Sequence, residues 1–167
     1  ADVIFKEVIL GSDYYVDLHG GDMIEKLVPF TIFCGDAEPG VVETSRAMAT
    51  AYGLPFAIAS KGKGNTYGTA ARAGIPSILA EAGGLGILDE ESVRAHLEGL
   101  ESLLRFTGSV DADAEPSWLS KDVSSRRLSQ QEHADAKTTV SSGDLPPKQV
   151  KVLGSFPYLN SDTRGML

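Results

Sequence analysis

Strands that alternate with helices through residue 107 predict the α/β fold class, with a mixed, largely parallel sheet and flanking helices. Three observations carry this reading. Short apolar runs rich in Val, Ile and Phe recur between segments of helical spacing. Two of those runs end on a chemically active side chain followed by paired glycines, His19-Gly20-Gly21 and Glu81-Ala82-Gly83-Gly84. After Gly108 the chain turns polar, too poor in apolar residues to bury a sizeable core of its own. The expected organisation is an α/β domain over 1–107, then 108–167 as a linker with a poorly structured or small β C-terminal segment.

The elements follow in order. Val3, Ile4, Val8 and Ile9 among Asp2, Lys6 and Glu7 predict a short amphipathic helix over 2–10, ended by Gly11, whose apolar face covers the next strand. That strand, 13–19, is delivered into the Gly20-Gly21 turn. Val28 to Cys34 is a second buried strand, with Pro29 tolerated at its start. Val41, Val42, Met48, Ala49 and Tyr52 recur near helical spacing, and Gly53 stands where a C-terminal cap belongs, so a helix is expected over 39–52. Leu54 to Ala59 is a third strand. The glycine-rich loop 60–66 leads into a short alanine-rich helix, Tyr67 to Ala73, closed by Gly74. Ile75 to Glu81 is a fourth strand. Asp89 is placed to cap a helix running to Phe106, with Val93, Leu97, Leu100, Leu103 and Leu104 as its apolar stripe. Beyond it, one strand is expected near 148–154.

Charge narrows the partners. The formal charge is -8, and 15 acidic against 8 basic side chains fall within residues 1–107. A nucleic-acid or anionic-membrane surface needs clustered Lys and Arg, so neither partner is expected, and a small molecule or protein is. The single cysteine, Cys34, forms no internal disulfide and reads as a buried small hydrophobe. No apolar run reaches the ~20 residues of a membrane helix, and the N-terminus has no signal-peptide pattern; the expected location is cytoplasmic.

Two strand ends carry the chemistry. In a strand, residues two apart share a face, which puts Asp17 beside His19 with Leu18 opposite. A histidine at such a turn is a candidate metal ligand, and a neighbouring carboxylate fixes its tautomer. Glu81, ending Ile78-Leu79-Ala80, is partly desolvated by this placement, which raises its pKa toward the range of a general base. His96, between Arg94 and Glu98, is expected in solvent. The glycines at 62, 64 and 68 match neither the dinucleotide nor the Walker spacing, which disfavours phosphate binding. No G-x-S-x-G elbow supports a serine hydrolase.

Asp17-Leu18-His19-Gly20-Gly21, then Ala71 to Gly84, then Leu88-Asp89-Glu90-Glu91-Ser92-Val93, resemble the succinylglutamate desuccinylase/aspartoacylase family over about residues 1–107. The resemblance implies a zinc-carboxypeptidase-like fold and a zinc-dependent deacylase acting on the amide bond of N-acyl amino acids. It places His19 as a zinc ligand, Glu81 as the base, and Tyr67 and Arg72 as substrate contacts, Arg72 one residue out of register. Members also bind zinc through an H-x-x-E pair ahead of the D-L-H histidine, whereas no histidine precedes His19. A catalytic zinc takes three protein ligands, so the chain is expected to be an incomplete or inactive form that holds zinc weakly and self-associates through an exposed sheet edge. The alternatives are a non-catalytic interaction or regulatory module on this fold, and a carboxypeptidase on the same fold.

Overall fold

The computed structural model describes residues 2–111 and 151–153. A short helix, α1 (Asp2–Ile4), runs on as a π-helical turn, Phe5–Ile9. Then come β1 (Tyr15–His19), β2 (Phe30–Cys34), α2 (Pro39–Ala51), β3 (Phe56–Ser60), α3 (Thr66–Arg72), β4 (Ser77–Glu81), α4 (Glu90–Phe106) and β5 (Lys151–Leu153). The sheet order is β1-β4-β2-β3-β5. β1 runs parallel to β4, β3 runs parallel to β2 and β5, and only the β2–β4 pair is antiparallel. This is the mixed, largely parallel sheet that the sequence predicts. The late strand joins this same sheet beside β3; the remainder of 112–150 and 154–167 lies outside the described residues.

Period-2 alternation divides the strands between two layers. Phe33, Ala57, Ile78 and Ala80 pack with Met48, Ala49 and Tyr52 from the α2 region and with Leu103 of α4. On the other face Ile32, Ile58 and Leu79 pack against Tyr67 of α3. Ile9 completes that layer with Ala70 and Ile75, and Phe5 and Tyr15 lie against them, so the first helix covers β1 as its pattern implies.

Local chemistry sets the helix ends. The Glu38 carboxylate accepts from the Gly40 and Val41 amides at 3.0 and 3.2 Å, and Pro39 occupies the first turn of α2, where its missing N–H costs nothing. Asp89 accepts from the Ser92 amide at 2.8 Å, the cap its position predicts. Gly53 and Gly74 take φ of 82° and 93°, left-handed turns that stop α2 and α3.

The predicted stripe of α4 packs in its second half, where Leu103 is buried and Leu100 lies against the same core, whereas Val93 and Leu97 are 37% and 38% exposed. The contact is made by Gly99, which has no Cβ, and the Tyr52 ring seats against it; a Cβ there would lie 2.5 Å from Tyr52 Cδ1 and Cζ. Ser102 locks the same face by donating to the Ala51 carbonyl at 2.5 Å.

Candidate active site

β1 and β4 end side by side. In their parallel ladder His19 is the register partner of Glu81, which places the two residues one strand spacing apart, ~4.8 Å, at the carboxyl ends. Ligand sites of α/β sheets lie at such ends. Alternation puts Asp17, His19 and Glu81 on the face that α3 covers. Asp17 Oδ1 lies 3.2 Å from His19 Nε2, and its Oδ2 accepts from the Thr66 hydroxyl at the start of α3. The carboxylate is thus held by Thr66 and stands beside the imidazole. No described residue hydrogen-bonds Nδ1, and the His19 side chain is 47% exposed.

Glu81 titrates above the usual carboxylate range. Burial is the main cause; the Glu25 and Asp22 charges add to it, and His19 opposes it. This is the raised pKa expected from its place at the end of an apolar strand. The turns beyond both strands interlock: the Gly21 amide donates to the Gly83 carbonyl at 3.2 Å, and the Leu85 amide to the Asp22 and Glu25 carbonyls at 3.0 and 2.9 Å. A Cβ on Gly21 would come within 2.7 Å of the Gly83 oxygen, and one on Gly84 would collide with the Glu25 carbonyl. The paired glycines thus let two loops touch, and that contact brings Asp22 and Glu25 toward Glu81. A cavity of about 280 Å³ opens beside His19, lined also by Gly21, Gly83, Ile87 and His96. A second cavity, about 650 Å³, lies between Pro55 and the start of α4 and includes neither His19 nor Glu81.

Tyr67 and Arg72 sit elsewhere on α3. Tyr67 is 4% exposed among Ile32, Ile58 and Leu79, and its hydroxyl lies beside Ser60 at the far end of β3. Because β3 runs opposite to β4, that end of the sheet is remote from Glu81. Arg72 pairs with Asp36 at 2.7 Å and donates to the Gly62 carbonyl at 2.9 Å, closing the glycine loop onto the helix. Cys34 is fully buried, as expected, and donates its thiol to Asp36 at 3.1 Å; burial raises its pKa.

No family sequence model and no curated protein sequence matches the chain. Solved structures do. A succinylglutamate desuccinylase/aspartoacylase from Rhodobacter sphaeroides matches 65% of this chain at 26% identity and a TM-score of 0.58. The product-bound ectoine utilization protein EutE from Ruegeria pomeroyi matches 65% at 24% identity and 0.59. An aspartoacylase family protein from Mesorhizobium loti matches 68% at 21% identity and 0.55. The chain has the fold of the succinylglutamate desuccinylase/aspartoacylase structures. It spans about a third of their length, 32–35% of each of these three chains.

The zinc implied by this desuccinylase/aspartoacylase resemblance finds one fitting donor here, the His19 imidazole braced by Asp17. Among the described residues no group of three or more His, Cys, Asp or Glu is gathered closely enough to hold a metal, so these residues do not form a catalytic zinc site by themselves. Sequence reasoning missed Thr66, Asp22, Glu25 and, above all, His96. Rather than facing solvent, His96 hydrogen-bonds Tyr52 and the His19 carbonyl. Its one advance signal is that it lies three residues before Gly99, on the packed face.

Proposed function

We propose that this chain is part of the active site of a deacylase that hydrolyses the amide bond of N-acyl amino acids. Glu81 is the general base, and His19 is one donor of a zinc site whose other donors lie outside the described residues. The carrying observation is the His19–Glu81 register at the ends of two parallel strands, with Glu81 shifted toward the range of a working base. The names of the similar solved structures, desuccinylase and aspartoacylase among them, support the substrate class.

The chemistry assigned to the chain is a proton relay. Ionised Glu81 takes a proton from water as the water oxygen bonds to the amide carbon; the same proton then passes to the leaving nitrogen as the C–N bond breaks, giving a carboxylic acid and an amine. A positioned base of this kind is worth ~10²–10⁴ in rate. Asp17 holds His19, and Thr66 holds Asp17. Tyr67 and Arg72, buried and ion-paired on α3, position that helix in this reading. Metal analysis and an assay of N-acyl amino acids against peptides test it together. Zinc bound by the assembled enzyme should be lost in His19→Ala, and acyl amino acids should be the substrates. Zinc content indifferent to His19 would favour a non-catalytic module; preference for peptides would favour a carboxypeptidase.

The β1 edge supports a second proposal, self-association. The Tyr15 amide donates to Pro76 and the His19 carbonyl accepts from Ala82, so the odd-numbered residues of β1 bond β4, and the amides and carbonyls of Val16 and Leu18 point to the open side. Leu18 and Tyr14 are 45% and 41% exposed there. An antiparallel pairing of two copies centred on Val16 sets Leu18 against Tyr14 of the second copy and keeps the two Asp17 side chains from facing each other. Light scattering on the isolated chain should report a mass above 17.7 kDa, falling toward the monomer in Leu18→Lys; a monodisperse monomer of the unaltered chain rules the pairing out. Among the described residues no helix is long and apolar enough to cross a membrane, and together with the lone cysteine this supports a cytoplasmic location in this reading.

A further inference from the structure

Opposite the face that carries Asp17 and Glu81, a second set of bonds ends on His19. His96 of α4 lies with Nε2 3.1 Å from the His19 backbone oxygen and Nδ1 2.9 Å from the Tyr52 hydroxyl. A carbonyl can only accept, so Nε2 carries the hydrogen. In the neutral ring Nδ1 then accepts, and Tyr52 donates to it. The His96 carbonyl, 3.4 Å from the Tyr52 hydroxyl, is a longer second acceptor for the same hydrogen, so in the neutral ring the chain runs from Tyr52 through His96 to His19 along its shorter contacts.

Each member is anchored. Tyr52 is 3% exposed, stands at the C-terminal cap of α2, and packs edge-on to His96 with ring centres 6.4 Å apart and planes at 75°. Gly99 provides the space that lets Tyr52 come this close to α4. The His19 carbonyl also accepts the Ala82 amide at 3.1 Å, so the last peptide of β1 is gripped by its neighbour strand and by a helix on the far face. That grip comes immediately before Gly20-Gly21, where the backbone would otherwise be free to turn.

We propose that His96 is a positioning residue for His19. By holding the carbonyl of His19 it sets the direction in which the side chain leaves β1, and so keeps the ring against Asp17 and beside Glu81. The idea rests on the deacylase reading only for its purpose, not for its geometry. Removing an outer partner that orients a metal-ligating imidazole typically costs ~10–100-fold in metal affinity or activity.

Long-range 1H–15N spectra of the histidine rings in the full chain, free of metal, provide the test. Unaltered His19 should show a single tautomer with hydrogen on Nε2, toward Asp17, and nuclear Overhauser contacts from its ring to Thr66. His96→Ala should lose those contacts and mix the tautomers. His96→Gln, whose amide can both donate to the carbonyl and accept from Tyr52, should restore them. Urea midpoints recorded in parallel identify a merely structural effect, in which Ala and Gln would disturb His19 in proportion to lost stability. Should His96→Ala fail to fold, Tyr52→Phe removes only the hydroxyl and should partly mix the tautomers. A folded His96→Ala chain whose His19 spectrum is unchanged, a Gln variant no better than Ala, or an unaffected His19 in Tyr52→Phe each overturns the proposal. Zinc added afterwards to the unaltered chain addresses the other reading: His19 signals that ignore the metal refute its role as a donor and leave the positioning result standing.

Discussion

Glu81→Gln is expected to lower amide hydrolysis by an assembled enzyme containing this chain ~10²–10⁴-fold, the worth of a positioned base, while making the chain itself more stable at neutral pH. The two effects have one cause. Burial at the end of β4 raises the Glu81 pKa above its ordinary value, so between the unfolded and folded pKa values the folded chain binds more protons than the unfolded one. Stability tied to this group is therefore fully present below the unfolded pKa and is lost as pH rises through the folded pKa. Glutamine has no charge to bury. Denaturation of both proteins across a pH series should show the curves close together in acid and the variant ahead near neutrality. A structural carboxylate would behave in the opposite way, so a Gln variant that is less stable at neutral pH, or that retains full turnover, would refute the assignment.

Gly99→Val is expected to destabilise the chain by about 1–3 kcal/mol, the usual cost of overpacking. The new Cβ would stand 2.5 Å from Tyr52 Cδ1 and Cζ, closer than carbon atoms approach without contact. Tyr52 cannot simply swing away, because its ring is part of the core with Met48, Ala49 and Leu103 and its hydroxyl is engaged by His96. By contrast, Val93→Ala and Leu97→Ala, on the open side of α4, should each cost less than about 1 kcal/mol. Urea midpoints of the three variants decide the matter. If Gly99→Val is neutral and the two alanine variants are severe, α4 packs by its apolar stripe and the observed face is wrong. The same valine should also release His96 from Tyr52, so its effect on His19 should resemble that of Tyr52→Phe.

Much of this molecule was legible because its signals are local. Period-2 apolar runs, an aspartate before a helix and a glycine after one act within a few residues, and they placed every strand and helix of 2–106 to within about two or three residues, the usual margin at element ends. The placement of His19 and Glu81 at strand ends, and the raised pKa of Glu81, belong to the same class, since a polar residue closing an apolar strand is desolvated wherever that strand packs. Asp17 meeting His19 follows from alternation alone.

What required tertiary structure is every fact that joins residues far apart in the chain. The sequence does not say that β1 pairs with β4 in the register that sets His19 against Glu81, nor that β2 runs the other way, which carries the Tyr67 hydroxyl and Arg72 off to the opposite end. Apolar counting placed Leu100 and Leu103 on the packed face of α4 correctly and Val93 and Leu97 there wrongly, and it had no way to include Gly99, whose missing side chain is what admits Tyr52. The same packing brings half-buried His96 onto the backbone of His19. Spacing along a chain encodes which face an element has; which neighbour fills that face depends on the close packing of side chains across the fold.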